Sequence, residues 1–137
     1  MFAFTGCEFE ALHEIDYNTV LVGWPEPNEA MVVNFATDLA KDCDLRALKP
    51  HGDGSNVGVE LTAQKVDPDF YGHIQVAVYI GLDTKTRTFF VEIPTIPREI
   101  KAPTPEDIAK KTEIVFARDF PGEKLTRFIR HEGLMGP

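Results

Sequence analysis

The stretch Val57-Gly-Val-Glu-Leu-Thr-Ala-Gln64 alternates apolar with polar or small side chains, one residue at a time. Ile74-Gln-Val-Ala-Val-Tyr-Ile80 and Thr88-Phe-Phe-Val-Glu-Ile93 repeat the pattern. In an extended chain successive side chains point to opposite faces, so this period of two predicts three strands, each with one face in a core. The first strand is expected over 57–66. Asp67-Pro-Asp-Phe-Tyr-Gly72 and Asp83-Thr-Lys-Thr86 carry turn chemistry. The second and third strands therefore read as a hairpin with a longer loop, and the three together as an antiparallel meander.

Upstream of this stretch, Cys7-Glu-Phe-Glu-Ala-Leu-His13 partly alternates, Asp16-Tyr-Asn18 resembles a turn, and Thr19-Val-Leu-Val-Gly-Trp24 is β-branched and apolar. These residues predict a first hairpin. After Pro25 and Pro27 the period changes. Met31, Phe35, Leu39 and Cys43 fall four apart, with Val32, Ala36 and Ala40 beside them, so a helix capped by Asn28 is expected over 28–43. Lys49-Pro-His-Gly-Asp-Gly-Ser-Asn56 reads as a loop.

Downstream, Pro94, Pro97, Pro103 and Pro105 stiffen an extended connector. Thr104-Pro-Glu-Asp107 is a helix start, with a capping hydroxyl, proline at the first helical position and acids in the first turn. Its buried stripe is Ile108, Ala109, Thr112, Val115 and Phe116. Pro121-Gly122 breaks the helix. Leu125, Phe128 and Ile129 predict a short last helix, with Lys124, Arg127 and Arg130 outside, before a frayed tail over 133–137. The expected order is ββ-α-βββ-α-α. It describes a single domain over 1–132 of the α+β class: a two-layer fold with a mostly antiparallel five-stranded sheet and helices packed on one face.

At 137 residues, 43% of them hydrophobic, the chain can build one core without metal or disulfide staples. Cys7 and Cys43 are the only cysteines and read as reduced and buried. No apolar run approaches the roughly 18 residues that span a bilayer. Met1–Cys7 lacks the basic start of a secretory signal. A cytoplasmic protein is expected. The formal charge is −8: residues 1–97 carry −9 and residues 98–137 carry +1. An acidic body disfavours nucleic-acid phosphates and anionic membranes as partners.

No Walker loop, dinucleotide-binding glycine fingerprint, zinc-spaced cysteine pair or Gly-x-Ser-x-Gly occurs, so neither cofactor nor metal is expected. Two histidine–carboxylate groupings could do acid–base work. Asp69 and His73 lie after the 57–66 strand, and His51 and Asp53 lie before it. Such a strand is on the order of 30 Å long at about 3.3 Å per residue, so the groupings cannot share one site. Each reads more readily as a solvated turn. Cys43 lies eight residues before His51, but its place on the helical stripe favours packing over nucleophilic chemistry. Trp24 and the basic trio Lys124, Arg127 and Arg130 are the candidate partner-binding residues. The leading expectation is a small acidic, non-catalytic protein-interaction or accessory-subunit module that binds another protein or a second copy of itself. The alternative is a small enzyme or ligand-binding domain using Asp69/His73 or His51/Asp53.

Overall fold

The computed structural model describes residues 13–24, 26–64, 77–96 and 103–129, and no side chain is described at 13, 14 or 129. The element order is β1 (His13–Val20), α1 (Glu29–Cys43), β2 (Leu45–Ala47), β3 (His51–Asp53), β4 (Asn56–Ala63), β5 (Val78–Asp83), β6 (Thr88–Pro94), α2 (Pro105–Asp119) and β7 (Thr126–Ile129). The strands form one antiparallel sheet in the order β2-β4-β5-β6-β1-β7, with β3 also paired to β4. Both helices cover the same face. This is the two-layer α+β fold that the alternation predicts, with seven strands among the described residues rather than five.

The register explains the two layers. Ile15 stands opposite Ile93, and Tyr17 opposite Val91. Ile80 faces Val91, Leu82 faces Phe89, and Val59 faces Ile80. All of these side chains are essentially buried beneath the helices. From α1 the core receives Val32, Phe35, Ala36 and Leu39; from α2 it receives Ile108, Ala109, Val115 and Phe116. Phe35, Phe89, Phe116 and Phe120 form its centre, with ring centroids as close as 4.9 Å for the Phe116–Phe120 pair. Fully burying one such side chain contributes about 1.5–3 kcal/mol. Packing, more than intrinsic propensity, therefore holds two fifteen-residue helices in place.

The helix starts form where expected. The Asn28 side chain accepts a hydrogen bond from Met31 N, and Thr104 Oγ1 accepts one from Asp107 N. Asp44 closes α1 in the left-handed region at φ 56°, with its N–H directed to Ala40 and Lys41 carbonyls, a conformation short polar side chains tolerate.

Four expectations are corrected. Asp16-Tyr-Asn18 is not a turn. It lies within β1, where Tyr17 points into the core and Asp16 and Asn18 point to the opposite face. Turn-favouring residues here are the outward positions of a strand, so there is no 16–18 hairpin, and β1 pairs instead with β6 and β7. The second arm expected over 19–24 ends at Val20; Val22 and Gly23 turn the chain. The loop expected over 49–56 contains β3, and β2 precedes it. Ala47 pairs with Leu61 but His51 pairs with Gly58, so this edge accommodates one extra residue, bulging where Pro50 can donate no hydrogen bond. Finally, the expected last helix is β7, whose Phe128 stands opposite Asp16 and Arg127 opposite Tyr17. So short a segment after Gly122 cannot nucleate a helix in isolation, whereas the open edge of β1 offers backbone hydrogen bonds at once.

The strand expected over 57–66 is observed over Asn56–Ala63, and the hairpin is observed as β5 and β6. Residues 7–12, 65–76, 97–102 and 130–137 lie outside the described residues. The first strand proposed over 7–13, the candidates Asp69 and His73, Arg130 and the tail fall there.

Candidate functional site

The side of the sheet away from the helices presents a continuous pattern. One row runs Phe128, Asp16, Glu92, Tyr79 and Glu60; the next runs Thr126, Asn18, Phe90, Gly81, Gly58 and His51. The two glycines are seats for aromatic rings. A Cβ on Gly58 would lie 2.1 Å from Tyr79 Oη, and one on Gly81 would lie 2.4 Å from Phe90 Cζ. Tyr79 packs at 5.7 Å from Phe90 and stacks at 5.8 Å on His51. Burial, followed by the nearby Glu92 and Glu60 carboxylates, raises the Tyr79 hydroxyl above its ordinary pKa.

His51 therefore sits beside Tyr79 on an exposed edge strand. Asp53 is on the same strand and also exposed. The two share no hydrogen bond, and neither lines either of the two depressions described below. Asp83 does return to this end of the sheet, as the hairpin predicts: its Oδ1 accepts from Ser55 Oγ at 3.3 Å and from Lys85 N at 2.9 Å. That arrangement closes a turn.

Of the basic trio, Lys124 is exposed in the segment before β7. Arg127 is engaged within the molecule. Its Nη2 donates to Glu106 Oε1 at 2.8 Å, and Nη1 lies 3.6 Å from Glu113 Oε2. The Tyr17 hydroxyl donates to that same Glu113 carboxylate. Arg127 thus ties β7 and β1 to α2, and its charge is matched by two carboxylates.

Trp24 occupies a different kind of place. Val22 N donates to Val20 O at 2.9 Å and Trp24 N to Leu21 O at 3.3 Å, a tight turn that swings Trp24 edge-on against Phe120, with centroids 5.4 Å apart. There it forms one wall of a groove of about 430 Å³ with Met31, Asn34, Thr37, Asp38, Asp119 and Phe120. Met31, Asn34 and Asp38 follow one another on α1 at helical spacings of three and four, which places them on one face. Asp119 ends α2. A carboxylate in the last turn of a helix meets the negative end of the helix dipole. Here burial comes first, and the neighbouring Asp38 second, in pushing the Asp119 carboxyl up to about 6. Arg118 answers loosely, with Nη2 3.9 Å from Asp38 and Nε 3.6 Å from Asp119, and its own side chain is more than half exposed. Asp119 Oδ2 is shielded from solvent and receives no hydrogen bond.

A second depression of about 320 Å³ lies at the opposite end of α1, bounded by Cys43, Asp42, Asp44, Pro103, Asp107, Lys110 and Lys111. Burial, with a smaller contribution from Asp42, raises the Cys43 thiol to about 11. Its sulfur is thus a protonated core atom at neutral pH, as its place on the stripe implies. Among the described residues no three His, Cys, Asp or Glu side chains gather as metal ligands, and no helix is long and apolar enough to cross a membrane.

The structure thus places Trp24 in a groove, Arg127 in an internal ion pair, and His51 with Asp53 on an exposed edge. Sequence reasoning missed Asp38 and Asp119. The one local signal was an acid at a helix C-terminus directly before the Phe120-Pro121-Gly122 break. No protein-family model and no curated protein matches the chain.

Proposed function

We propose that this protein is a non-catalytic interaction module, and that it meets another protein through the β1–α1 connection and the adjoining Trp24 groove. The exposure of that connection carries the reading: Val20 is 49% and Val22 is 75% exposed, and both lead directly into the half-buried Trp24. Single exposed apolar side chains are ordinary on any surface, but Val22 at the tip of a turn whose end, Trp24, walls a groove gives that groove an apolar rim. The turn is held on the scaffold by Glu123, which accepts from Gly23 N at 2.9 Å, so the rim is displayed in a fixed shape. Pre-organisation of this kind lowers the entropy lost on binding. A different protein is favoured over a second copy because a formal charge of −8 makes like molecules repel.

The test is comparative capture from the native host. Wild type and an Ile114→Asp control, altered at an apolar α2 position that is 58% exposed, should retain the same partner, and Val22→Asp should lose it. Retention by Val22→Asp at the wild-type level would refute the reading, as would a monomer by light scattering that captures nothing.

A further inference from the structure

We infer that the Trp24 groove receives one cationic side chain of the partner, an arginine, held against the indole and the Asp38 carboxylate. This rests on the proposed role of that surface and adds the chemistry of what enters it. The groove's volume of about 430 Å³ is ample for one long side chain and too small for a folded element. Trp24, Met31 and Phe120 give it apolar walls for the methylene stem of an arginine. An indole is also the best aromatic partner for a guanidinium.

Charge selects the head group. Asp38 is the reachable carboxylate, its side chain 42% exposed, and Asp119 lies behind it at 19%. The charged groups lining the groove are Asp38 from α1 and Asp119 from α2; Arg118 stands near both, and Glu123 is fixed beside Gly23. Two carboxylates against one guanidinium leave a surplus negative charge between the helices. Arg118 stands beyond hydrogen-bonding distance of both, and Asp119 Oδ2 has no donor at all. The groove therefore holds more acceptor capacity than its own cation satisfies. An incoming guanidinium would supply donors and charge together, against Asp38 as a direct partner and Asp119 as a fixed field. The overall charge of −8 draws a basic partner toward the surface at long range.

Trp24 is the only tryptophan, so its fluorescence reports this groove alone. The probe is N-acetyl-arginine amide; controls are its neutral isostere N-acetyl-citrulline amide and sodium chloride at matched ionic strength. At pH 7.5 the arginine probe should change Trp24 emission saturably, and neither control should. Because the cation favours the ionised pair, the pH midpoint of Trp24 emission should fall by about one unit at tenfold the dissociation constant. Asp38→Asn, which keeps shape and removes charge, should abolish both responses. A response absent in wild type, equalled by citrulline or salt, or unchanged in Asp38→Asn overturns the inference. If it fails while Val22→Asp still loses the captured partner, the interaction reading survives and only the cation is removed. If Val22→Asp keeps the partner, the interaction reading itself falls.

Discussion

Replacing Gly81 with alanine should destabilise the protein, and the size of the effect follows from one contact. A Cβ at Gly81 would lie 2.4 Å from Phe90 Cζ, 2.7 Å from Cε2 and 3.0 Å from Cε1. Ordinary carbon–carbon contact is about 3.5–4.0 Å, so the closest overlap exceeds an ångström. The Phe90 ring cannot slide away freely, because Tyr79 packs on it at 5.7 Å. Overpacking of this kind costs about 1–3 kcal/mol. Reduced unfolded-state entropy returns about 0.4–1 kcal/mol for Gly→Ala, leaving a net loss of about 1–2 kcal/mol. In a Phe90→Ala background the overlap disappears and the same substitution should be neutral or slightly stabilising. Urea unfolding of the four proteins, followed by Trp24 fluorescence, gives the coupling directly. A coupling near zero, or Gly81→Ala as stable as wild type, would refute the claim that aromatic rings seated on glycines cover the outer sheet.

Three further outcomes are expected. Asp119 titrates at about 6 in the folded state against 3.8 normally, so the native state binds its proton more tightly, and this carboxyl's penalty grows as pH rises from about 4 through 6 and is constant above. Asp119→Asn should thus be more stable than wild type at pH 7.5, by about 1–2 kcal/mol once solvent screening discounts the roughly 3 kcal/mol of a two-unit shift, and equal to it below pH 4; denaturation midpoints at the two pH values check this. Thr104→Ala should cost about 1 kcal/mol through loss of the α2 cap, measured by thermal unfolding. In a Cys7→Ser background, Cys43 should react with a thiol reagent at pH 8 far more slowly than a free thiol, since its sulfur is buried and that burial pushes the thiol up to about 11; reaction as fast as a free thiol would contradict the buried placement.

How legible each feature was in the sequence depends on whether its cause is local. The caps at Asn28 and Thr104 and the stripes of both helices were readable because they are set within a few residues. So was the β5–β6 hairpin, whose register is fixed by a short turn. β1 is not legible locally because Asp16 and Asn18 have turn chemistry, and only its two distant neighbours, β6 and β7, make those positions the outer face of a strand. β7 is not legible either, because Leu125, Phe128 and Ile129 satisfy helical spacing in a segment too short to decide. The edge containing β2 and β3 was hidden by Pro50 and two glycines. Of the site, only Trp24 is marked in the sequence, and by its residue type alone. Asp38 and Asp119 carry no such mark, because their meaning arises from the convergence of two helices, which no period within either one encodes.

The central claim is that the β1–α1 connection is where a partner sits. It is tested most directly by placing a photo-crosslinking residue at Val22, with the same residue at exposed Lys110 on α2 as control, and irradiating each protein in host extract. The account predicts one discrete adduct from position 22 and none from 110, with an arginine in or next to the cross-linked partner peptide. Adducts of equal yield from both positions, or from position 110 alone, would contradict it.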